Sequence, residues 1–328
     1  MKLATLKDGS RDGHLVVVSR DLTRAISALP VAETLQQLIE HWDERAPALQ
    51  RRYEALERGE LEETFAFDPE HAMAPLPRAY QWCDGSAFLN HGELMQQAFN
   101  LPPIADVEQI PLMYQGGSDD FLGPRDPIEL KEPNHGLDFE GEFAVLLDDV
   151  PMACTADEAA GHIKLLVQLN DVSLRALAPR EMKTGFGFLQ AKPSTSFAPV
   201  AITPDELGDR WHDGRVNLRL LVHWNGEWFG HPCASQMHFS FPQLIAHAAL
   251  TRRLGAGTLI GSGTVSNPGE QSGCTCISER RAMDQIAGKA LTRFMQWGDR
   301  IHMKAIDPSG QAPFGTIDQQ VVAPGHLA

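Results

Sequence analysis

The sequence lacks any apolar run approaching the ~20 residues that a membrane-spanning helix needs, which argues against an integral membrane protein. It is also short of positive charge. Among 328 residues, 28 Lys and Arg face 43 Asp and Glu, for a net charge of −15. Nucleic acid and anionic membrane surfaces are therefore not expected partners. Cysteine is sparse, five in all and an odd number, which fits a reducing cytosol better than a disulfide framework. Cys274-Thr275-Cys276 has no second cysteine pair to complete a cysteine-built zinc site. None of the 13 histidines falls in a His-x-x-x-His spacing within a convincing helix. Gly261-Ser262-Gly263-Thr264 is followed by no Lys-Ser/Thr pair and opens no evident helix, so it is neither a Walker A loop nor a dinucleotide fingerprint. The opening residues carry no signal-peptide apolar core. What remains is a cytoplasmic globular chain, 43% hydrophobic and 22% charged, long enough for one large domain with a smaller appendage.

Leu15–Ser19 reads as a strand after the Asp12-Gly13 turn. From Val31 to about Glu63, Leu35, Leu38, Ile39, Trp42, Leu49, Tyr53 and Leu56 recur at helical spacing, and Pro47 is expected to divide them into two helices. Pro75-Leu76-Pro77 closes an N-terminal unit, so the expected division is a small domain over 1–75 and a larger one over 76–328. Beyond it, short apolar strands alternate with Gly- and Pro-rich turns. The clearest are Phe143–Leu147, Val216–Trp224, Thr258–Gly261 and Arg300–Ala305, with a hairpin at Asn225-Gly226. Capping boxes start helices at Thr155/Glu158, Thr203/Glu206 and Ser240/Gln243. Many strands with few short helices predict a mixed α+β, mainly β architecture rather than a doubly wound or TIM fold.

The densest chemical signal is Asp138-Phe139-Glu140-Gly141-Glu142-Phe143, which runs into the apolar Ala144-Val145-Leu146-Leu147. Strand alternation puts Asp138, Glu140 and Glu142 on one face and both phenylalanines on the other. Stacked like charges repel, and a divalent cation held by carboxylate oxygens removes the conflict; a solvated acidic face is the plainer alternative. A second apolar run ends in Asn170-Asp171, with Arg175 four residues on; a turn or cap would explain that aspartate equally well. Lys192 sits among small and apolar residues, where a snorkelling surface lysine is the ordinary explanation.

Taken together and in order, Asp84-x6-His91, Asp138-Phe139-Glu140-x-Glu142, Asn170-Asp171-x-Ser173-x-Arg175, Lys192 and Gly261-Ser262-Gly263-Thr264 resemble the fumarylacetoacetate hydrolase superfamily. The likeness spans nearly the whole chain, including Tyr114, Gly298-Asp299-Arg300-Ile301 and Phe314-Gly315-Thr316-Ile317, and looks closest to a bacterial fumarylacetoacetase-like branch. The resemblance implies a β-sandwich roll with a small N-terminal α/β unit, assembled as a homodimer. It implies Mg2+ or Ca2+ at Asp84, Glu140, Glu142 and Asp171. By the same resemblance His91 deprotonates water, Glu279 orients His91, Arg175 and Lys192 stabilise developing charge, and Tyr114 and Thr264 contact substrate oxygens. The implied reaction is hydrolysis of a C–C bond in a small β-diketo acid, fumarylacetoacetate to fumarate and acetoacetate, as in tyrosine and phenylalanine catabolism. Acylpyruvate hydrolysis, oxaloacetate decarboxylation or dienoate hydration on the same metal site are the alternatives. Three positions depart from the family pattern: Ala178 stands where a glutamine is usual, with Gln190 as a substitute donor, and Ser86 and Asn100 replace a tyrosine and an arginine.

Overall fold

The computed structural model describes residues 1–100 and 102–325. Its centre is an eleven-stranded sheet. From one edge the order runs Phe65–Ala66, Arg24–Ser27, His14–Val18, Lys2–Leu6, Ala201–Ile202, Ile163–Asn170, Gly141–Leu147, Leu259–Gly261, Trp82–Gly85, Met113–Gly116, with Ser196–Phe197 also on Ile163–Asn170. Only the Leu259–Gly261 and Trp82–Gly85 strands of this sheet pair in parallel. The N-terminal strands thus join the same sheet as the acidic Gly141–Leu147 strand, through Lys2–Leu6 on Ala201–Ile202. A second sheet of five strands, Glu227–Gly230, Arg219–Trp224, Arg300–Ile306, Ile317–Val322 and Ile128–Glu129, lies against the first. The result is a mixed α/β fold, mainly sheet, of the sandwich or roll kind, as the residue pattern predicts.

The Gly141–Leu147 strand is buried on both faces. Phe143, Val145 and Leu147 pack with Leu220, Val222, Ile301 and Met303 of the second sheet. Ala144 and Leu146 pack the other way, in a cluster with Leu165, Val167 and Leu169 of the neighbouring strand and with Leu35, Leu38, Leu49, Tyr53 and Leu56. Burial on both sides explains the uninterrupted apolar run. The last five belong to two helices, Leu35–Glu40 and Trp42–Glu57, so helical periodicity correctly marks the residues that cover this face.

Several local expectations shift. The helix break falls at His41 (φ −129°), and Pro47 lies inside the second helix. Pro47 is only the sixth residue there, where its missing N–H costs a single bond to the first turn. Val216–Trp224 is two strands, Arg215–Val216 and Arg219–Trp224. Thr203 leads into a 3-10 helix without a side-chain cap: its Oγ1 accepts from the Met1 backbone nitrogen at 2.5 Å, and Glu206 turns to that same nitrogen (3.1 Å) and to Arg20 (3.3 Å). The Asn225-Gly226 turn forms as expected, with both residues at positive φ, 53° and 81°. The boxes at Thr155/Glu158 and Ser240/Gln243 also form. No helix among the described residues is long and apolar enough to cross a membrane.

Candidate metal centre and its histidine–glutamate neighbour

Three carboxylates interrupt the helix-facing apolar stripe at one end of the central sheet. Glu142 precedes Ala144 and Leu146 by two-residue steps; Asp84 follows Trp82 in the same way, and Asp171 follows Leu169. Register brings them together, since Glu142 lies opposite Leu169 and Asp84 lies opposite Gly261, which in turn pairs with Ala144. Gly261 makes the approach possible: a Cβ there would stand 2.2 Å from Asp84 Oδ1 and 2.4 Å from the Trp82 ring. Gly263 (φ +74°) turns its backbone N–H onto Asp84 Oδ1 at 3.0 Å. The glycine-rich loop therefore does bind a carboxylate through its backbone, but one of the protein's own.

Asp84, Glu142 and Asp171 each offer an oxygen within 4.8 Å of the others, and all three are buried. Asp171 Oδ2 accepts from Lys192 Nζ at 2.5 Å and from the Tyr114 hydroxyl, while Oδ1 accepts from Thr195 Oγ1 at 3.0 Å. Glu142 is different: both its oxygens are buried and accept no hydrogen bond. A buried carboxylate without donors is costly. Burial, with Asp84, Asp171 and Glu140 close by, pushes Glu142 well above the usual carboxylate range. Asp84 moves the same way, from burial first and then from Asp171.

Glu140 stands beside this trio and is otherwise engaged. Oε1 accepts from Ser173 Oγ at 2.6 Å, Arg175 Nη2 at 2.6 Å and Lys192 Nζ at 2.9 Å; Oε2 accepts from Thr264 Oγ1 at 2.8 Å. Burial alone would raise it, but Arg175 and Lys192 hold it well below the usual range. Burial likewise opposes charge on Lys192, and Asp171 and Glu140 override it. Arg175 also reaches Asp138 Oδ2 at 2.9 Å. Asp138 in turn accepts from the backbone N–H groups of Ile277 (2.6 Å) and Ser278 (2.9 Å), so it anchors the start of the Ile277–Ile286 helix.

That helix carries Glu279, whose Oε1 lies 3.1 Å from Nδ1 of His91 on the Leu89–Phe99 helix. A carboxylate only accepts, so Nδ1–H donates to Glu279 and Nε2 holds the lone pair of a base. Glu279 and His91, 188 positions apart in sequence, thus meet in space. Gln190 is not brought in: it is exposed and lines a cavity of about 410 Å3 with Glu129, Lys131, His135 and Leu177. Ala178 opens a short helix and Asn100 closes the His91 helix in the left-handed region (φ 48°).

Residue reading missed Thr195 and Cys276. Cys276 caps the Glu279 helix, its Sγ accepting from Glu279 N–H at 3.4 Å. Its only local sign was the position three residues before a glutamate, which a cysteine does not ordinarily advertise as a cap.

The donor set fits a divalent cation. With Asp138 on Arg175, five carboxylates against Arg175 and Lys192 leave three negative charges in excess, and one such ion cancels two of them. All-oxygen coordination suits Mg2+, Ca2+ or Mn2+. Asp84, Glu142 and Asp171 would hold it, with Glu140 fixing the two basic side chains beside it.

Comparison with known proteins identifies the family and the fold. Residues 81–322 match the family described as fumarylacetoacetate (FAA) hydrolase C-terminal, and residues 1–78 match fumarylacetoacetase N-terminal domain 2. The chain is 25% identical over 252 residues to the oxaloacetate tautomerase YisK of Bacillus subtilis (strain 168), covering 76% of this chain and 72% of that one. Among solved structures, maleylpyruvate hydrolase from Sphingobium sp. SYK-6, in complex with manganese(II) ion and pyruvate, superposes with a TM-score of 0.65 at 17% identity, covering 98% of this chain and 99% of that one. A fumarylacetoacetate hydrolase from psychrophilic Exiguobacterium antarcticum gives 0.63 at 19% identity, again covering 98% and 99%. At such identities these two structures establish a shared fold.

Proposed function

The chain belongs to the fumarylacetoacetate hydrolase family, a family of enzymes, and from that premise we propose that it hydrolyses a C–C bond in a β-diketo acid, with fumarylacetoacetate as the substrate to test first. The observation that carries this reading is the His91–Glu279 pair set beside a buried carboxylate trio. Asp84, Glu142 and Asp171 would hold a divalent cation, which would supply Lewis-acid polarisation of the 1,3-diketo unit.

The chain's own residues do the rest. His91 Nε2 takes a proton from water, and Glu279 holds the imidazole in that tautomer and stabilises it once charged. Hydroxide adds to the carbonyl carbon, the C–C bond breaks, and its electron pair leaves as an enolate that is protonated to a ketone. Lys192 and Arg175 offset the negative charge that develops. Tyr114 and Thr264, whose hydroxyls donate to Asp171 and Glu140, are assigned the contacts to substrate oxygens by family likeness. The same reading takes Mg2+ or Ca2+ as the working ion, a homodimer in the cytoplasm, and a place in tyrosine and phenylalanine catabolism, all carried by family likeness. Residues 1–75 are assigned a structural part, extending the sheet and covering one of its faces.

The oxaloacetate tautomerase relative favours a second reading, in which the base moves a proton on a 2-oxo acid and no C–C bond breaks. The test is turnover of fumarylacetoacetate and of oxaloacetate by the purified protein, with the cation and after chelation, with products identified. Cation-dependent fumarate and acetoacetate, reduced ~100-fold or more in H91A, is the expected result. Enol–keto interconversion of oxaloacetate without any C–C cleavage would replace the first reading by the second.

A further inference from the structure

We propose that His91, Cys276 and Glu279 form a second cation site, of borderline-soft character, that takes Zn2+. The three side chains come from two helices and the N-cap residue of one of them, and each offers one ligand atom within 4.8 Å of the other two. They supply nitrogen, sulfur and oxygen, the three donors zinc accepts in protein sites. The carboxylate trio, by contrast, is all oxygen. Cys276 is fully buried. Its sulfur accepts the Glu279 N–H at 3.4 Å, and its S–H donates no hydrogen bond among the described residues. The thiol is thus an unspent buried group aimed into the His–Glu pair. A thiolate and a carboxylate together cancel the charge of one Zn2+. The His91 side chain keeps 20% exposure, leaving an open side for entry and for a water as fourth ligand.

Occupancy ties up the imidazole, so Zn2+ is expected to inhibit. This consequence, unlike the site itself, rests on the base role proposed above for His91.

The test reads the thiolate directly and needs no activity. The full-length protein, saturated with Mg2+ to fill the carboxylate site, is titrated with Co2+ as a spectroscopic substitute for Zn2+. A near-ultraviolet thiolate-to-Co2+ charge-transfer band is expected, saturating at one ion per chain and abolished by one equivalent of Zn2+. C276S should lose the band and weaken Zn2+ binding by ~100-fold or more, since even outer-shell changes cost 10- to 100-fold. Serine is itself a strong helix N-cap, so this variant keeps the helix start. E142Q, which disables the carboxylate site, should retain the band. No band in the wild type, a band that survives in C276S, or one lost in E142Q would each overturn the proposal.

Discussion

Replacing Glu142 by glutamine should have opposite effects with and without the cation. Both Glu142 oxygens are buried without a donor, and burial with three carboxylate neighbours pushes the group well above its usual range. In metal-free protein the folded state therefore keeps its proton while the unfolded chain releases it. Stability is full below the ordinary carboxylate range and falls as pH rises from there toward the raised value, by about 1.4 kcal/mol per pH unit for one such group. The glutamine variant does not lose that stability as pH rises. Glutamine is nearly isosteric, and its amide can donate to Asp84 or Asp171. At about 2 °C per kcal/mol for a chain of this size, chelator-treated E142Q should melt above wild type by about 3 °C for each pH unit between the ordinary carboxylate range and the raised value. With a cation at 100 times its Kd, wild type gains about 2.7 kcal/mol, and the variant should lose most of that gain. Thermal melts across pH, with chelator and with Mn2+, check both halves. Parallel stability–pH curves for the two chelated proteins, or a chelated variant less stable than wild type, would refute the reasoning.

Two further substitutions probe how the site is assembled. Gly261→Ala places a Cβ 2.2 Å from Asp84 Oδ1, so titration calorimetry should show weakened cation binding and melts a loss of ~1–3 kcal/mol; unchanged affinity would mean Asp84 is not held where register puts it. Asp138→Asn removes the charge shared by Arg175 and two helix-start N–H groups, with an expected cost of about 3 kcal/mol. A denaturant series measures this, and an effect within about 0.5 kcal/mol, the size ordinary for a surface change, would count against the anchoring role.

Fold class was legible because apolar patterns report which faces are buried: the Arg300–Ile306 and Ile317–Val322 strands alternate, the central strands carry uninterrupted apolar runs, and the N-terminal helix pair follows the helical period. The Asn225-Gly226 hairpin was legible for a more local reason, two residues that tolerate positive φ. Pro47 misled because a proline near a helix start is cheap, and what breaks the pair is the backbone at His41. That the N-terminal strands continue the main sheet was not legible, since the pairing of Lys2–Leu6 with Ala201–Ile202 joins residues about two hundred positions apart.

The sequence by itself picked out the candidate carboxylates. Asp84, Glu140, Glu142 and Asp171 could be picked out because alternation along one strand is a local property and because their order resembles a family. It did not determine how they divide the work. Which oxygens remain free for a cation depends on where Arg175, Lys192, Ser173 and Thr264 spend their hydrogen bonds, and those residues reach Glu140 from three separate stretches of chain. Cys276 shows the same limit: read along the chain it is half of an incomplete cysteine pair, while in space it stands within ligand distance of His91, 185 positions away. Residue types fix what chemistry is available; only the packing of sheet against helices decides which atoms share a cavity, and so which charges must be cancelled from outside.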